Sequence, residues 1–503
     1  MPFKRQSVDF RSVLGDVGYQ HSETRLSGTN WEYWNGRYTT PGQIVDERIL
    51  YVKSDCGWEE LQFALDKIRK EDRPRNFYVV LQNTARSFRD DIDRIRSMAN
   101  NKQVYSVSGF LFQAVKRAVT RRQEIDPVRH FVQQSVIFPP EETRQPSLQA
   151  VLRWLRGGQG TGPNVAVLLA PAASGKTSLA REAFRGLSAT DKDVRIPLLV
   201  EREVWKDLLR SERVDLIDVW RSSMSYWYPG AILGYDQLER CLSLGAICPI
   251  FDGLDELCTA FPLEINPDDT VRSLLTLFEG GGGGGRLLLT SRASFWTENI
   301  SPAIQSQVLQ VDLCPFDDLQ IRSFLKKRFE GDAEAEERAL RVLHRIGSAT
   351  GRGERATCAE GWSENVAAND VVGGHIEQVP YVAVLAAESA DTEQPERLAR
   401  FGKLFSEPDP VRGLLLAICE RERERQKLTL TAEEQVELFS ELVAEFEGSV
   451  YHRDELQLCG ETRGYRKAQL RKLRSHWFLS ARPGERYVFQ YPFIEDYLMA
   501  RVF

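Results

Sequence analysis

The feature that most constrains this chain is the string VAVLLAPAASGKTSLAREAFRGL, residues 165–187. Its first part, Val165–Ala170, is a continuous apolar run, the pattern of a strand buried on both faces. From Leu179 onward the spacing turns helical, with Ala183 and Leu187 repeating on one side. The segment between is built from small residues, so the chain turns tightly from strand into helix. At such a junction the amides of Ala172, Ala173, Ser174, Gly175, Lys176, Thr177 and Ser178 converge on one point at a helix N-terminus. That arrangement favours an anion.

Three details make the anion a polyphosphate. Gly175 lets the backbone approach it, Lys176 supplies a cation, and the Thr177 hydroxyl is a ligand for Mg²⁺. The string fits the P-loop pattern, with Ala170 in place of the first glycine. Ala173 stands where a glycine is common, and alanine resists a positive φ. The expected ligands are therefore ATP or ADP with Mg²⁺. A second acidic string, PIFDGLDEL, supplies the partner. The strand Pro249–Phe251 ends in Asp252, which meets solvent and holds Mg²⁺ together with Thr177. Asp255 and Glu256 follow one turn later, and either can orient and deprotonate an attacking water. A third string, LLLTSR, ends a strand with Thr290, Ser291 and Arg292, placed to sense a γ-phosphate.

Between residues 148 and 330 short apolar runs alternate with helical segments, which indicates a parallel sheet covered on both faces. Beyond about residue 315 strands disappear, and residues 332–346, 410–426 and 431–446 read as amphipathic helices. The last opens with a capping box from Thr431 to Glu434. WFLSARPGERYVF reads as a hairpin turning at Pro483–Gly484, and YPFIEDYLMARVF as a final helix. Phe138–Pro146 reads as a Pro-rich linker, Gly157–Asn164 as a loop, and the six glycines Gly280–Gly285 as a flexible surface loop. The fold class is thus α/β: a P-loop parallel sheet followed by helical and winged-helix domains and preceded by a small α/β domain. The boundaries are 1–138, a linker over 139–147, then 148–315, 316–425 and 426–503. A length of 503 residues suits about two to four domains.

The three motifs in this order resemble the NACHT family of STAND NTPases, and the likeness covers about residues 148–503. CPFDDLQIRSFLKKRF is similar to the segment after the family's sensor strand, and QVPYVAVLAAESA to its helical-domain proline motif. FQYPFIEDYLMA is similar to its winged-helix motif. The resemblance implies a nucleotide switch: closed with ADP, opened by exchange for ATP, then assembled as a homo-oligomer that activates an attached effector. The trigger is an unknown ligand or partner protein, and the setting is signalling or antiviral defence. By the same likeness Pro380 packs near the nucleotide. Tyr491 takes the place of the histidine that touches the ADP phosphate, although a tyrosine carries no switchable charge near neutral pH. Relatives commonly continue into a sensor region that this sequence does not contain.

The N-terminal 138 residues read as an effector or adaptor domain that vaguely resembles the restriction-endonuclease-like fold. A nuclease of that kind needs an acid and an (Asp/Glu)-x-Lys on adjacent strands. Lys53 is the candidate lysine, but Tyr51 occupies the acidic position, Asp46 lies on the opposite face, and nothing fixes Glu23 or Glu32. The domain is slightly basic, which permits contact with nucleic acid without demanding it. The alternatives are an ATP-gated Mg²⁺-dependent nuclease and a motor-like AAA+ remodelling ATPase. The run Glu420–Lys427 reads as a solvated helix face, and Trp220 and Trp227 as packing residues. The eight cysteines are scattered without a CxxC pair, and no apolar stretch approaches the roughly 18–20 residues that span a bilayer. A cytoplasmic setting is expected, with no membrane association.

Overall fold

The computed structural model describes residues 9–501 apart from short interruptions and the stretches 83–93, 98–102, 119–122, 139–142, 158–162, 189–194, 206–215, 280–284 and 350–377. Most of the glycine run and the loop over 157–164, and the Pro483–Gly484 turn, lie outside the described residues.

The N-terminal part begins with helix α1 (Phe10–Asp16) and a sheet in the order β1-β2-β3-β4-β5. Strands β1 (His21–Ser27), β2 (Trp31–Thr40) and β3 (Gln43–Val52) form an antiparallel meander. Helix α2 (Trp58–Glu71) then crosses over to β4 (Tyr78–Leu81), which lies parallel to β3. Strand β5 (Val104–Ser106) extends the parallel half and leads into α3 (Val107–Ala118). Alternation in β2 and β3 sorts the side chains. Trp31, Tyr33, Leu50 and Val52 pack on Leu61, Leu65 and Ile68 of α2. Trp34, Ile49 and Tyr51 face Phe10 and Phe110 instead, and the Phe10 and Tyr51 rings stack 4.1 Å apart. The sequence reading anticipated neither β1, which is polar and mostly exposed, nor β2, whose aromatic residues are interrupted by Glu32, Asn35 and Arg37 and leave no continuous apolar run.

A second, seven-stranded sheet runs in the order β7-β6-β12-β8-β11-β10-β9. Its strands are β6 (Ser135–Ile137), β7 (Arg144–Pro146), β8 (Val165–Leu169), β9 (Ile196–Val200), β10 (Ile247–Phe251), β11 (Leu287–Ser291) and β12 (Leu309–Leu313). The strands from β12 to β9 are parallel, and every residue of β8, β9, β10 and β11 is buried. Helix α4 (Lys176–Ser188) follows β8, and α5 (Leu254–Ala260) follows β10. Trp220 and Trp227 are buried in this core, and the Trp227 indole donates to the Leu199 carbonyl at 2.7 Å. One expectation needs correcting. Residues 135–137 and 144–146, assigned from sequence to the N-terminal domain and the linker, are the antiparallel edge of this sheet. Short strands with charged and proline residues suit an edge, and that composition reads as linker when pairing is invisible.

The C-terminal half is built on helices α6 (Asp318–Phe329), α7 (Ala333–Ala349), α8 (Pro380–Glu388), α9 (Pro395–Phe405), α10 (Pro410–Gln426), α11 (Ala432–Glu445), α12 (Arg453–Thr462), α13 (Lys467–Leu473) and α14 (Pro492–Ala500). With a small sheet in the order β13-β15-β14 (Tyr451–His452, Arg486–Phe489, Leu479–Arg482) they share one hydrophobic cluster. The capping box at α11 forms as read, Thr431 accepting from the Glu434 amide and Glu434 from the Thr431 amide. The solvated-face reading of Glu420–Lys427 holds only in part: Glu424, Arg425 and Lys427 are exposed, but Glu420 and Glu422 are only 7% and 3% exposed. Helix α10 is covered on both sides, and its buried carboxylates are held by arginines at its rim, as Arg425 holds Glu422 at 2.7 Å. Among the described residues no helix is long and apolar enough to cross a membrane.

Candidate nucleotide site

Strand β8 delivers the chain to the loop at the C-terminal edge of the parallel strands. Two residues of that loop have positive φ: Ala173 at 60° and Gly175 at 92°. Successive residues of opposite hand turn their amides to one side and form an anion-binding nest. Alanine adopts this conformation at a cost of about 1–2 kcal/mol, so the loop carries strain that a glycine would not. Ser174 is buried, and its hydroxyl donates to the Pro171 carbonyl at 2.9 Å, closing the turn.

Lys176 opens α4 and bends back over the loop. Its ammonium donates to the carbonyls of Ala170 and Pro171 at 2.8 and 2.7 Å. Burial lowers its pKa to about 8, against the opposing pull of Asp255, Asp252 and Glu256. A phosphate brought here would replace neutral carbonyl partners with a charged one.

Asp252 stands just beyond β10, 8% exposed. Burial raises its pKa, opposed by hydrogen bonds from the hydroxyls of Thr177 and Thr290. Thr177, the second residue of α4, is therefore in contact with Asp252, as a shared Mg²⁺ site requires. Thr290 is fully buried on β11. It donates to Asp252 Oδ1 at 2.7 Å and accepts from the Gly253 amide at 2.9 Å, so it fastens the acidic turn to the neighbouring strand. Gly253 takes the left-handed conformation (φ 84°, ψ 51°) that starts α5 and returns Asp255 and Glu256 towards the loop.

The two carboxylates diverge. Asp255 is buried and pairs with the Arg292 guanidinium at 3.0 Å. Glu256 is partly exposed and stands 3.9 Å from Arg202, with its pKa raised by burial and by Asp255. Arg292 also donates to the Leu479 carbonyl of β14 at 3.2 Å, and so ties the sheet to the C-terminal hairpin. Ala172 and Ala173 pack against the hydrophobic cluster of the C-terminal half.

Pro380 is the first residue of α8. The neighbouring Gln378 carbonyl accepts from the Phe316 amide at 3.0 Å, just after β12. Tyr491 is buried immediately before α14, its ring stacked 5.1 Å from Trp477 and beside Phe493. Trp477 in turn meets Tyr381 at 5.9 Å, so Pro380–Tyr381 and Tyr491 meet on one aromatic cluster. Ser178 lies on the first turn of α4.

Two participants were not anticipated. Gln134, at the start of β6 and 4% exposed, donates to the Ser174 carbonyl at 2.9 Å and to the Cys314 carbonyl at 3.0 Å. Its side-chain oxygen would lie 2.6 Å from a Cβ at position 175, so a glycine is needed there for space as well as for φ. No sequence signal marks it, since it lies far upstream, just before a strand not recognised as such. Glu201 follows β9, is 4% exposed, and pairs with Arg181 of α4 at 2.8 Å. Burial raises its pKa. An acid closing the IPLLV strand was its legible signal.

In the N-terminal sheet, Lys53 pairs with Glu32 at 2.9 Å, and Tyr51 lies opposite Glu32 across the strands. Asp46 pairs with Arg37 at 2.8 Å. Among the described residues no group of three His, Cys, Asp or Glu side chains is placed to hold a metal.

No protein family matches the sequence, and no curated protein is similar to it. Solved structures are similar to the chain only at low identity and low TM-score. The Walker-type ATPase PABY2304 of Pyrococcus abyssi is 14% identical with a TM-score of 0.36, covering 70% of this chain and 94% of its own. The ORC2 protein of Aeropyrum pernix, in complexes with ADPNP and ADP, is 14% identical with a TM-score of 0.36, covering 73% and 96%. RuvB of Thermotoga maritima is 13% identical with a TM-score of 0.29, covering 68% and 88%.

Proposed function

We propose that this chain is a nucleotide-switch ATPase of the NACHT-type STAND class, in which ATP or ADP at the P-loop governs docking of the C-terminal half. The observation that carries this reading is Arg292, held between Asp255 of the phosphate site and the Leu479 carbonyl of the C-terminal hairpin. A γ-phosphate competing for that guanidinium would loosen the hairpin, whereas a diphosphate would leave it in place. Thr177 and Asp252 would hold Mg²⁺, which neutralises phosphate charge and orients the phosphates when bound. Lys176 and the loop amides bind the β-phosphate side. Glu256 is the better placed general base, because burial raises its pKa and it is partly exposed, whereas Asp255 is buried and held by Arg292. Slow hydrolysis would reset the switch. The helices and hairpin of the C-terminal half would act as helical and winged-helix domains. Opening would allow homo-oligomers to form and the N-terminal domain to act on its target, and a direct binding assay tests nucleic acid as that target. A role in signalling or defence follows from that design.

The test is the nucleotide content of freshly purified protein, released by denaturation and resolved by chromatography, with Lys176→Ala as control. Near-stoichiometric ADP in the wild type and none in the variant supports the resting switch. A site that arrives without nucleotide and turns over added ATP rapidly favours a motor-like remodelling ATPase.

A further inference from the structure

The helical part of the chain contains a second polar cleft, remote in sequence from the P-loop. Its cavity of about 470 Å³ opens between α7, the end of α8 and α9, lined among others by Arg338, Arg341, Arg345, Ser389, Phe405 and Ser406. Positions 338, 341 and 345 follow helical spacing, so their guanidinium groups share one wall. Two are fastened across the cleft. Arg338 donates to the Ala390 carbonyl at 3.2 Å, and Arg345 donates to the carbonyls of Phe405 and Glu407 at 3.1 and 3.0 Å. These anchors orient the guanidinium groups without neutralising them.

Acidic partners compensate little. Glu334 reaches Arg338 at 2.9 Å but is 85% exposed, and Glu337 stands 3.7 Å from Arg341 with both side chains 61% exposed. Such pairs are weak and screened by solvent. No carboxylate lines the cavity among the described residues. A concave, positively charged wall without acids concentrates field and attracts anions. Val342 and Phe405 supply apolar surface, and the cavity has the size of a small-molecule site.

We infer that this cleft binds a small phosphorylated anion, its phosphate groups on Arg341 and Arg345 and its apolar portion against Val342 and Phe405. Guanidinium forks suit phosphate oxygens, and two of the three are already oriented by the backbone. The site is independent of the P-loop. Because it joins α7 to α9, occupancy would stiffen the helical layer whose cluster packs on Ala172 and Ala173.

The experiment is calorimetric titration of the full chain carrying Lys176→Ala with pyrophosphate, ADP and adenosine, at low and at high salt. Pyrophosphate and ADP are expected to bind one-to-one, more weakly at high salt, and adenosine not at all. Adding Arg341→Ala, an exposed position, is expected to weaken binding about tenfold, as loss of a charged hydrogen bond does, with an unchanged melting temperature. Binding of free pyrophosphate without ADP overturns the assignment of an apolar portion to Val342 and Phe405. Failure of pyrophosphate to bind at low salt overturns the inference. So does binding that Arg341→Ala leaves unaltered, or binding of an oligonucleotide alone.

Discussion

Lys176 is the residue whose electrostatics can be read most directly in solution. Its folded pKa of about 8 lies below the ordinary 10.5, so the folded, ligand-free protein sheds this proton before the unfolded chain does. Between those values the unfolded chain binds more protons, and this group's contribution to stability rises with pH. Phosphate binding needs the ammonium and reverses the preference. Nucleotide affinity is therefore expected to fall as pH rises through about 8, with proton uptake on binding. Calorimetry in buffers of different ionisation enthalpy reads that uptake, and Lys176→Ala should abolish it. An unchanged affinity up to pH 10 would refute the assignment.

Gln134 yields a second test at the same scale. Gln134→Leu keeps the volume but leaves the Ser174 and Cys314 carbonyls without their side-chain donor, at a cost of about 1–3 kcal/mol. Nucleotide affinity should fall by about tenfold or more if the loop loses its shape. Gly175→Ala should be worse, since it meets both Gln134 and a φ of 92°. Equilibrium binding with a fluorescent nucleotide, alongside thermal melts, separates a loop defect from global unfolding.

At the scale of elements, the hairpin β14–β15 is coupled to the parallel sheet through Arg292. Arg292→Ala removes the donor to the Leu479 carbonyl and the guanidinium paired with Asp255. Faster amide exchange is expected over 479–489, with much smaller change in β8 and β9. Equal exchange in the wild type and the variant would mean that apolar packing alone docks the hairpin. The contrast between what could and could not be read from sequence is clearest at this scale. The strand–loop–helix of β8 and α4, and the acidic turn after β10, were legible because each is one contiguous string with a steep change from apolar to polar. Helix α10 was placed at its observed limits by Pro410 and its apolar spacing. Its charged end was misread in part, since burial of Glu420 and Glu422 depends on neighbours far along the chain. Strands β6 and β7 were missed for the same reason: these three-residue strands are specified by pairing, β6 with β12 and β7 with β6, not by their own composition. Contact between Arg292 and Leu479 joins residues that no local pattern relates.

Across the whole molecule, the C-terminal half is held together by a buried polar network as well as by its apolar cluster. His476 is fully buried, and burial lowers its pKa to about 4 from 6.5. Its Nδ1 accepts from the Phe478 amide at 3.1 Å, so the proton of the neutral ring is on Nε2, which faces Gln435 Oε1 at 3.1 Å. The Gln435 amide nitrogen in turn donates to the carbonyls of Cys419, Leu430 and Thr431, linking α10, α11 and the segment before the hairpin. A proton on Nδ1 would face a donor, not an acceptor, inside this network. The sign follows from the two pKa values: the unfolded chain takes up a proton near pH 6.5, while the folded chain resists until about 4. Stability from the neutral ring is thus complete above 6.5 and declines as pH falls towards 4, by roughly 3 kcal/mol across the window. Thermal melts from pH 7.5 to 5 should show the C-terminal half losing stability first, with earlier protease cleavage between α10 and α14 than within the parallel sheet. His476→Asn lowers stability at every pH but removes this titrating group, so its melting temperature should vary less over the same range. An equal slope in the variant would refute the assignment of this acid sensitivity to His476.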